Sequence, residues 1–257
     1  MNNMWLTPEI LEWRVEAQGG SFADENQWKR PYDIWAHAEQ VLSHPTTEFL
    51  RVDVITTLKR AIDHRVRMLN NLYSFKRIPI KEKPSEILNL LEFAGVVRPL
   101  MLQKLLDIRN AVEHEDASPP DHESCQMFLE FAWYFLRSTD KMAQQVLEDF
   151  GIFPPKEAHY YGMSVYSGPE NSWIPKLWGW ITPDMLSNVS KAGWIVLDVE
   201  EIETREELTE RLKDSGNPVI DGESGRGRYP NDMCISAKVR GPSGALIQLL
   251  KMYFAAV

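Results

Sequence analysis

LLDIRNAVEHEDASPP, from Leu105 to Pro120, starts as an amphipathic helix and ends in a turn closed by two prolines. A helix advances about 100° per residue. Met101, Leu105, Ile108 and Val112 therefore share one narrow apolar stripe, the expected core face. Asn110 and His114 lie one turn apart, nearly opposite that stripe. Arg109 lies between them and the stripe, on the side of Glu113. The plain reading makes Arg109 and Glu113 an i,i+4 ion pair worth a few tenths of a kcal/mol and leaves Asn110 and His114 solvated. The sharper reading makes Arg109, Asn110 and His114 the polar half of a site. With 15 arginines and 6 histidines, an Arg-x4-His pair arises by luck about 0.35 times. Requiring one of the 11 asparagines directly after the arginine lowers this to about 0.015.

Around this stretch the first 150 residues read as all-helical. Thr7-Pro8-Glu9 opens a short helix with a cap, a first-turn proline and an acid, and Gly19-Gly20 closes it. Helices are expected from Asp33 to Ser43, from Thr47 to Tyr73 and from Ser85-Glu86 to Phe93. The helix of the opening stretch starts near Arg98. Asp121 caps a last one, running to about Phe150. Ile55, Leu58, Ile62, Val66 and Leu69 recur at helical spacing. The expectation is a bundle of four or five helices over 1–150.

GIFPPKEA (151–158) reads as a linker, since two prolines stop a helix and stiffen the chain. Beyond it HYYGMSVYS, GWIVLDVEE and MCISAKV are rich in β-branched and aromatic residues, as strands are. Thr204 to Ser215 reads as a charged helix that Gly216 ends. The apolar stretch from Ala245 to Phe254 leans to helix. Residues 159–257 are thus expected to form a smaller α+β domain.

The composition is globular, with 44% hydrophobic and 25% charged residues. No apolar run approaches the ~20 residues of a membrane span. The start, MNNMWLTPEI, lacks the pattern of a signal peptide. The expected location is the cytosol. Cys125 and Cys234 form no CxxC pair and suggest free thiols. The net charge of -9 argues against a general nucleic-acid coat. From Arg51 to Lys83 the balance reverses. Nine Lys/Arg face Asp53, Asp63 and Glu82, a net +6 that reads as a solvated face or a phosphate-facing surface.

The element Arg109-Asn110-x-x-x-His114 resembles the signature of the HEPN superfamily, the higher eukaryotes and prokaryotes nucleotide-binding domains. The lead-in Leu105-Leu106-Asp107-Ile108, the turn at Pro119-Pro120 and the following helix agree with it. The similarity covers roughly residues 33–150. It implies a helical bundle that cleaves RNA without metal or cofactor, with Arg109, Asn110 and His114 as catalytic residues. It also implies a homodimer in which two copies of the motif line one cleft. Toxin or antiviral-defence roles, with a neutralising or regulatory protein partner, are common in the family. Some members carry a modifiable tyrosine two residues after the histidine; Asp116 stands there, which puts that control in doubt. The alternative is a bundle without catalysis, serving as a nucleotide-binding or protein-interaction module.

The residue types suit the chemistry. RNA carries its own nucleophile, the ribose 2′-hydroxyl. A histidine titrating near neutrality moves protons, and an arginine fork stabilises charge growing on the phosphate. Asn110 could orient the ring or hold a phosphate oxygen. Arg109 and His114 lie about 140° apart on a regular helix, so the expected two-fold dimer supplies what one chain does not.

Other candidates carry less. His114, Glu115, Asp116, Asp121 and His122 crowd together but straddle a turn and contain no HExxH, so no metal is expected. GESGRGR (222–228) lacks the ending of a P-loop, and reads as a loop or as a phosphate contact through Arg226 and Arg228. Trp173, Trp178, Trp180 and Trp194 read as core ahead of a base-stacking platform.

Overall fold

The computed structural model describes residues 3–98, 100–114, 118–156, 160–212 and 227–257, except the side chains of 25–27, 101, 102, 113, 114 and 212. The chain divides into two compact units. Residues 21–76 with 83–146 are helical. Residues 1–20, 77–82 and 147–257 form a sheet unit.

The helical unit contains α1 (Glu25–Leu42), α2 (Glu48–Tyr73), α3 (Ile87–Phe93), α4 (Leu100–His114), α5 (His122–Ser138) and α6 (Asp140–Gln144). Thr47 caps α2 by accepting from the Leu50 amide at 3.3 Å. Asp121 caps α5 by accepting from the Ser124 amide at 2.8 Å. The α2 stripe Leu58, Ala61, Ile62 and Leu69 is buried, as are Phe128, Ala132 and Leu136 on α5, and the two helices pack together. One charged knot ties this core. Arg65 on α2 is fully buried, and its Nη2 donates to Asp140 Oδ1 at 3.0 Å and to the Trp28 carbonyl at 3.2 Å. Its Nη1 donates to the Leu136 carbonyl and Thr139 Oγ1, both at 3.3 Å. The Tyr32 hydroxyl donates to the other Asp140 oxygen at 2.7 Å. Burial, reinforced by that carboxylate, pushes the Tyr32 phenol up to about 12.

The sheet unit is built on eight strands. Its eight-stranded sheet contains β1 (Asn3–Leu6), β2 (Arg14–Ala17), β5 (Asp149–Phe153), β6 (Gly162–Tyr166), β7 (Lys176–Ile181), β8 (Leu186–Ser187), β9 (Ile195–Thr204) and β10 (Met233–Gly241). The order is β2-β5-β6-β7-β10-β9-β1-β8, with every pair antiparallel. A short ribbon of β3 (Gly20–Phe22) and β4 (Gln145–Leu147) marks where the chain leaves for the helical segments and returns. One face of the sheet is apolar: Phe150, Ile152, Met163, Val165, Leu177, Leu197, Ile235 and Ala237 are buried. Helix α8 (Ser243–Ala256) packs on β2, on β10 and on the 3-10 turn Pro8–Glu12. Its Tyr253 hydroxyl donates to the Leu147 carbonyl at 2.9 Å, while its ring meets Trp173 and Phe150 edge-on. Helix α7 (Arg205–Leu212) follows β9.

The connectivity fixes the curvature of this sheet. Strands β1 and β2 stand six positions apart, which in a flat sheet is about 29 Å. Eight residue steps from Leu6 to Arg14 reach at most about 28 Å fully extended, and a 3-10 turn takes up five of those residues. The sheet therefore coils strongly, and α8 lies against both of its distant parts.

The expected architecture, an all-α HEPN-like bundle over 1–150 with a smaller C-terminal α+β domain, is overturned by this eight-stranded antiparallel sheet. The sheet takes two strands from the first 17 residues. Thr7 does accept from the Glu9 amide, but the turn it starts ends at Glu12, and Trp13 is already extended. The last bundle helix does not reach Phe150. It stops at Ser138, and α6 gives way to β4 and β5. GIFPPKEA is no simple linker, since Gly151, Ile152 and Phe153 are central residues of sheet pairing. Helix α1 begins eight residues before Asp33 and runs through Pro31. The strands expected in HYYGMSVYS, GWIVLDVEE and MCISAKV are β6, β9 and β10, and the C-terminal apolar stretch is helical. Helix α7 covers 205–212 of the charged helix expected over 204–215; its expected end at Gly216 lies outside the described residues.

Candidate functional site

Helix α4 carries the three residues that the sequence singles out. Leu105 is fully buried, and Ile108 and Val112 are half-buried, so the apolar stripe is the core face, turned to α2 and α5. Asn110 is exposed and Arg109 is half-buried at the flank of the stripe. Nη1 of Arg109 donates to the Asn110 side-chain oxygen at 3.1 Å. The Asn110 amino group is a further donor beside this guanidinium. His114 is the last residue of α4, one turn beyond Asn110; its side chain lies outside the described residues, as does that of Glu113, the expected ion-pair partner of Arg109.

The segment leading into α5 is anchored from α2. Arg51 donates from Nε to the Pro120 carbonyl at 2.8 Å and from Nη1 to the Thr46 carbonyl at 3.3 Å. Thr46 Oγ1 lies 3.4 Å from His122 Nδ1. The amide hydrogen bond from Ser124 holds the Asp121 carboxyl below its ordinary range, with Arg51 and His122 adding to the effect. Asp121 and His122 are thus engaged as a cap and a loop contact. Among the described residues no group of three His, Cys, Asp or Glu is placed to hold a metal ion. Glu115 and Asp116 lie outside them. A cationic donor and a neutral amide donor side by side can grip an oxyanion, and an imidazole one turn away can move a proton.

The remaining candidates resolve individually. Trp173 and Trp180 are buried, and Trp194 is half-buried beneath the Lys191 ammonium, 3.9 Å from its ring centre. Trp178 stands on the outer face of the sheet, lining a depression with Lys176 and Lys238, and both lysines lie 2.8 Å from Glu200. Residues 222–226 of GESGRGR lie outside the described residues. Gly227 packs under the Trp180 ring, and the Arg228 amide donates to the buried Asp232 at 2.5 Å. Of the histidines outside the motif and the α5 cap, His44 contacts Ser43 and the Gln40 carbonyl, His37 is exposed, and His159 lies outside the described residues. Burial, with Arg67, Arg30 and Arg60 nearby, lowers the His64 imidazole below its ordinary value. Burial pushes the Cys125 thiol up to about 11, an unreactive setting.

The basic run from Arg51 to Lys83 is not one solvated face. Arg65 is internal, Lys59 pairs with Asp63, and Arg51 holds the Pro120 carbonyl before α5. Arg67, Lys76 and Lys83 instead converge on an open cleft. The sequence flags this charge reversal but not its division into structural and cleft-lining members. No helix among the described residues is long and apolar enough to cross a membrane. No protein-family model matches the chain, and neither a curated protein nor a solved structure matches it.

Proposed function

We propose that the chain is a metal-independent endoribonuclease that cleaves RNA through attack of the ribose 2′-hydroxyl, leaving a 2′,3′-cyclic phosphate. The observation that carries this reading is the Arg109 guanidinium bonded to the Asn110 carboxamide, one turn before His114 at the end of α4. The reading rests on these residues and on their resemblance to the HEPN signature, not on the architecture, which departs from that family's expected form. Arg109 stabilises the charge on the phosphorane, His114 transfers a proton, and Asn110 holds Arg109 and a phosphate oxygen. Two copies related by a two-fold axis supply one histidine as base and another as acid. A toxin or defence role and a neutralising partner follow from the resemblance alone. The acidic charge of -9 favours a second reading, a non-catalytic interaction module.

Incubating the protein with total RNA in EDTA and sequencing the cleaved ends tests this. Cyclic-phosphate ends are expected, with Arg109→Ala and His114→Ala each lowering the rate about 10²- to 10⁴-fold. Intact RNA, or equal cleavage by all three proteins, refutes it. Mixing the two inactive variants should alter activity with composition if the dimer is required; full activity of a strict monomer rules the dimer out.

A further inference from the structure

We propose that the cleft at the C-terminal end of α2 binds a small organic phosphate with a planar, hydrogen-bonding body, of which a purine nucleoside monophosphate is the simplest example. The last turns of α2, Phe75 and Lys76 after them, residues 83–85 and the start of α3 border an open cleft of about 600 Å³, a size suited to such a ligand.

Three features of the lining converge. Arg67, Lys76 and Lys83 stand around it, and none of its described lining residues is acidic. In a chain of net charge -9, that concentration of cations selects an anion. The Lys83 ammonium reaches back to the Lys76 carbonyl at 3.1 Å and so draws the two basic positions together. Beneath them lies an apolar bed of Val66, Phe75, Ile87 and Leu90. The Phe75 ring is fixed by stacking on Tyr73, with centres 5.5 Å apart and planes within 19°. An inorganic ion has no use for that bed. Asn70 and Asn71 add two carboxamides, each able to donate and accept, which an aliphatic body leaves unused. A base on the bed, its edge on the asparagines and its phosphate at the cations uses all three features.

The cleft is separate from the α4 motif. Arg51 ties Pro120, six residues after His114, to the start of α2, and Arg67 lies sixteen residues further along that helix, about 24 Å away. The proposal therefore stands without the nuclease reading.

Thermal-shift and calorimetric titrations with AMP and GMP test it, with adenosine, inorganic phosphate and glucose 6-phosphate as controls. At least one purine monophosphate should bind, and the controls should bind at least tenfold more weakly. Arg67→Glu and Lys76→Glu, both at exposed positions, should each cost tenfold or more in affinity with an unchanged circular dichroism spectrum. Arg109→Ala with His114→Ala should leave binding intact. No binding of either purine monophosphate at millimolar concentration overturns the proposal. So do equal binding of any control, indifference to the charge reversals, or loss of binding in the α4 variant.

Discussion

Among the described residues, Asp140 alone offers a carboxylate to Arg65, which is wholly inside the helical unit. Removing one partner of a buried pair leaves an uncompensated charge, so Asp140→Ala should lower stability by about 3–5 kcal/mol in urea unfolding. Glu200 works at the surface and at the other end of the pH scale. Hydrogen bonds from Lys176 and Lys238 pull its carboxyl from the ordinary 4.5 to about 2. A lowered folded value means that its stabilisation is complete above about pH 4.5 and is lost as pH falls toward 2. Between those limits the native protein should lose more stability than Glu200→Gln, as read from denaturation at each pH. Neither role is legible in sequence. Arg65 sits among nine similar cations, and its acid lies 75 positions away with no spacing to betray it. The Arg109-Asn110-x-x-x-His114 spacing is legible, but the Arg109–Asn110 contact is not, because the helical wheel sets Arg109 beside Glu113 and turns adjacent side chains about 100° apart.

Among the elements, β7 illustrates how tightly the sheet is assembled. A Cβ on Gly179 would strike the Gly162 carbonyl across the β6–β7 pair, a backbone atom that cannot swing away. Gly179→Ala should therefore cost about 1–3 kcal/mol or more, measured by thermal unfolding, whereas Gly193→Ala meets no atom within 4 Å and suffers only from its positive φ. Long elements with a sustained period were readable: α2 begins within one residue of its expected cap and ends at Tyr73 as expected. Short ones were not. Strands of three to five residues at 3–6, 14–17, 145–147 and 149–153 give too few alternations to outweigh a helical wheel on which Val146 and Phe150 also fit.

Within the sheet unit, β1 pairs with β9 on one side and β8 on the other, and β2 caps the far edge beside β5. A fragment of residues 147–257 should therefore lack a cooperative thermal transition by circular dichroism, since it loses both strands and the turn under α8. A sharp transition in that fragment would show that the first 17 residues are dispensable. The change of texture near residue 150 was visible in the sequence. That the opening residues belong with the closing ones was not, because antiparallel partners so far apart leave no local trace.

That pairing also sets a clock during synthesis. Asn3 finds its partner only at Asp198, so β1 leaves the ribosome some 10–40 s before β9 exists, at about 5–20 residues per second. The intervening helices can fold in that interval, while the Met4-Trp5-Leu6 segment waits unpaired. The arrival of residue 198, and not the speed of helix formation, then sets the earliest moment at which the sheet can close.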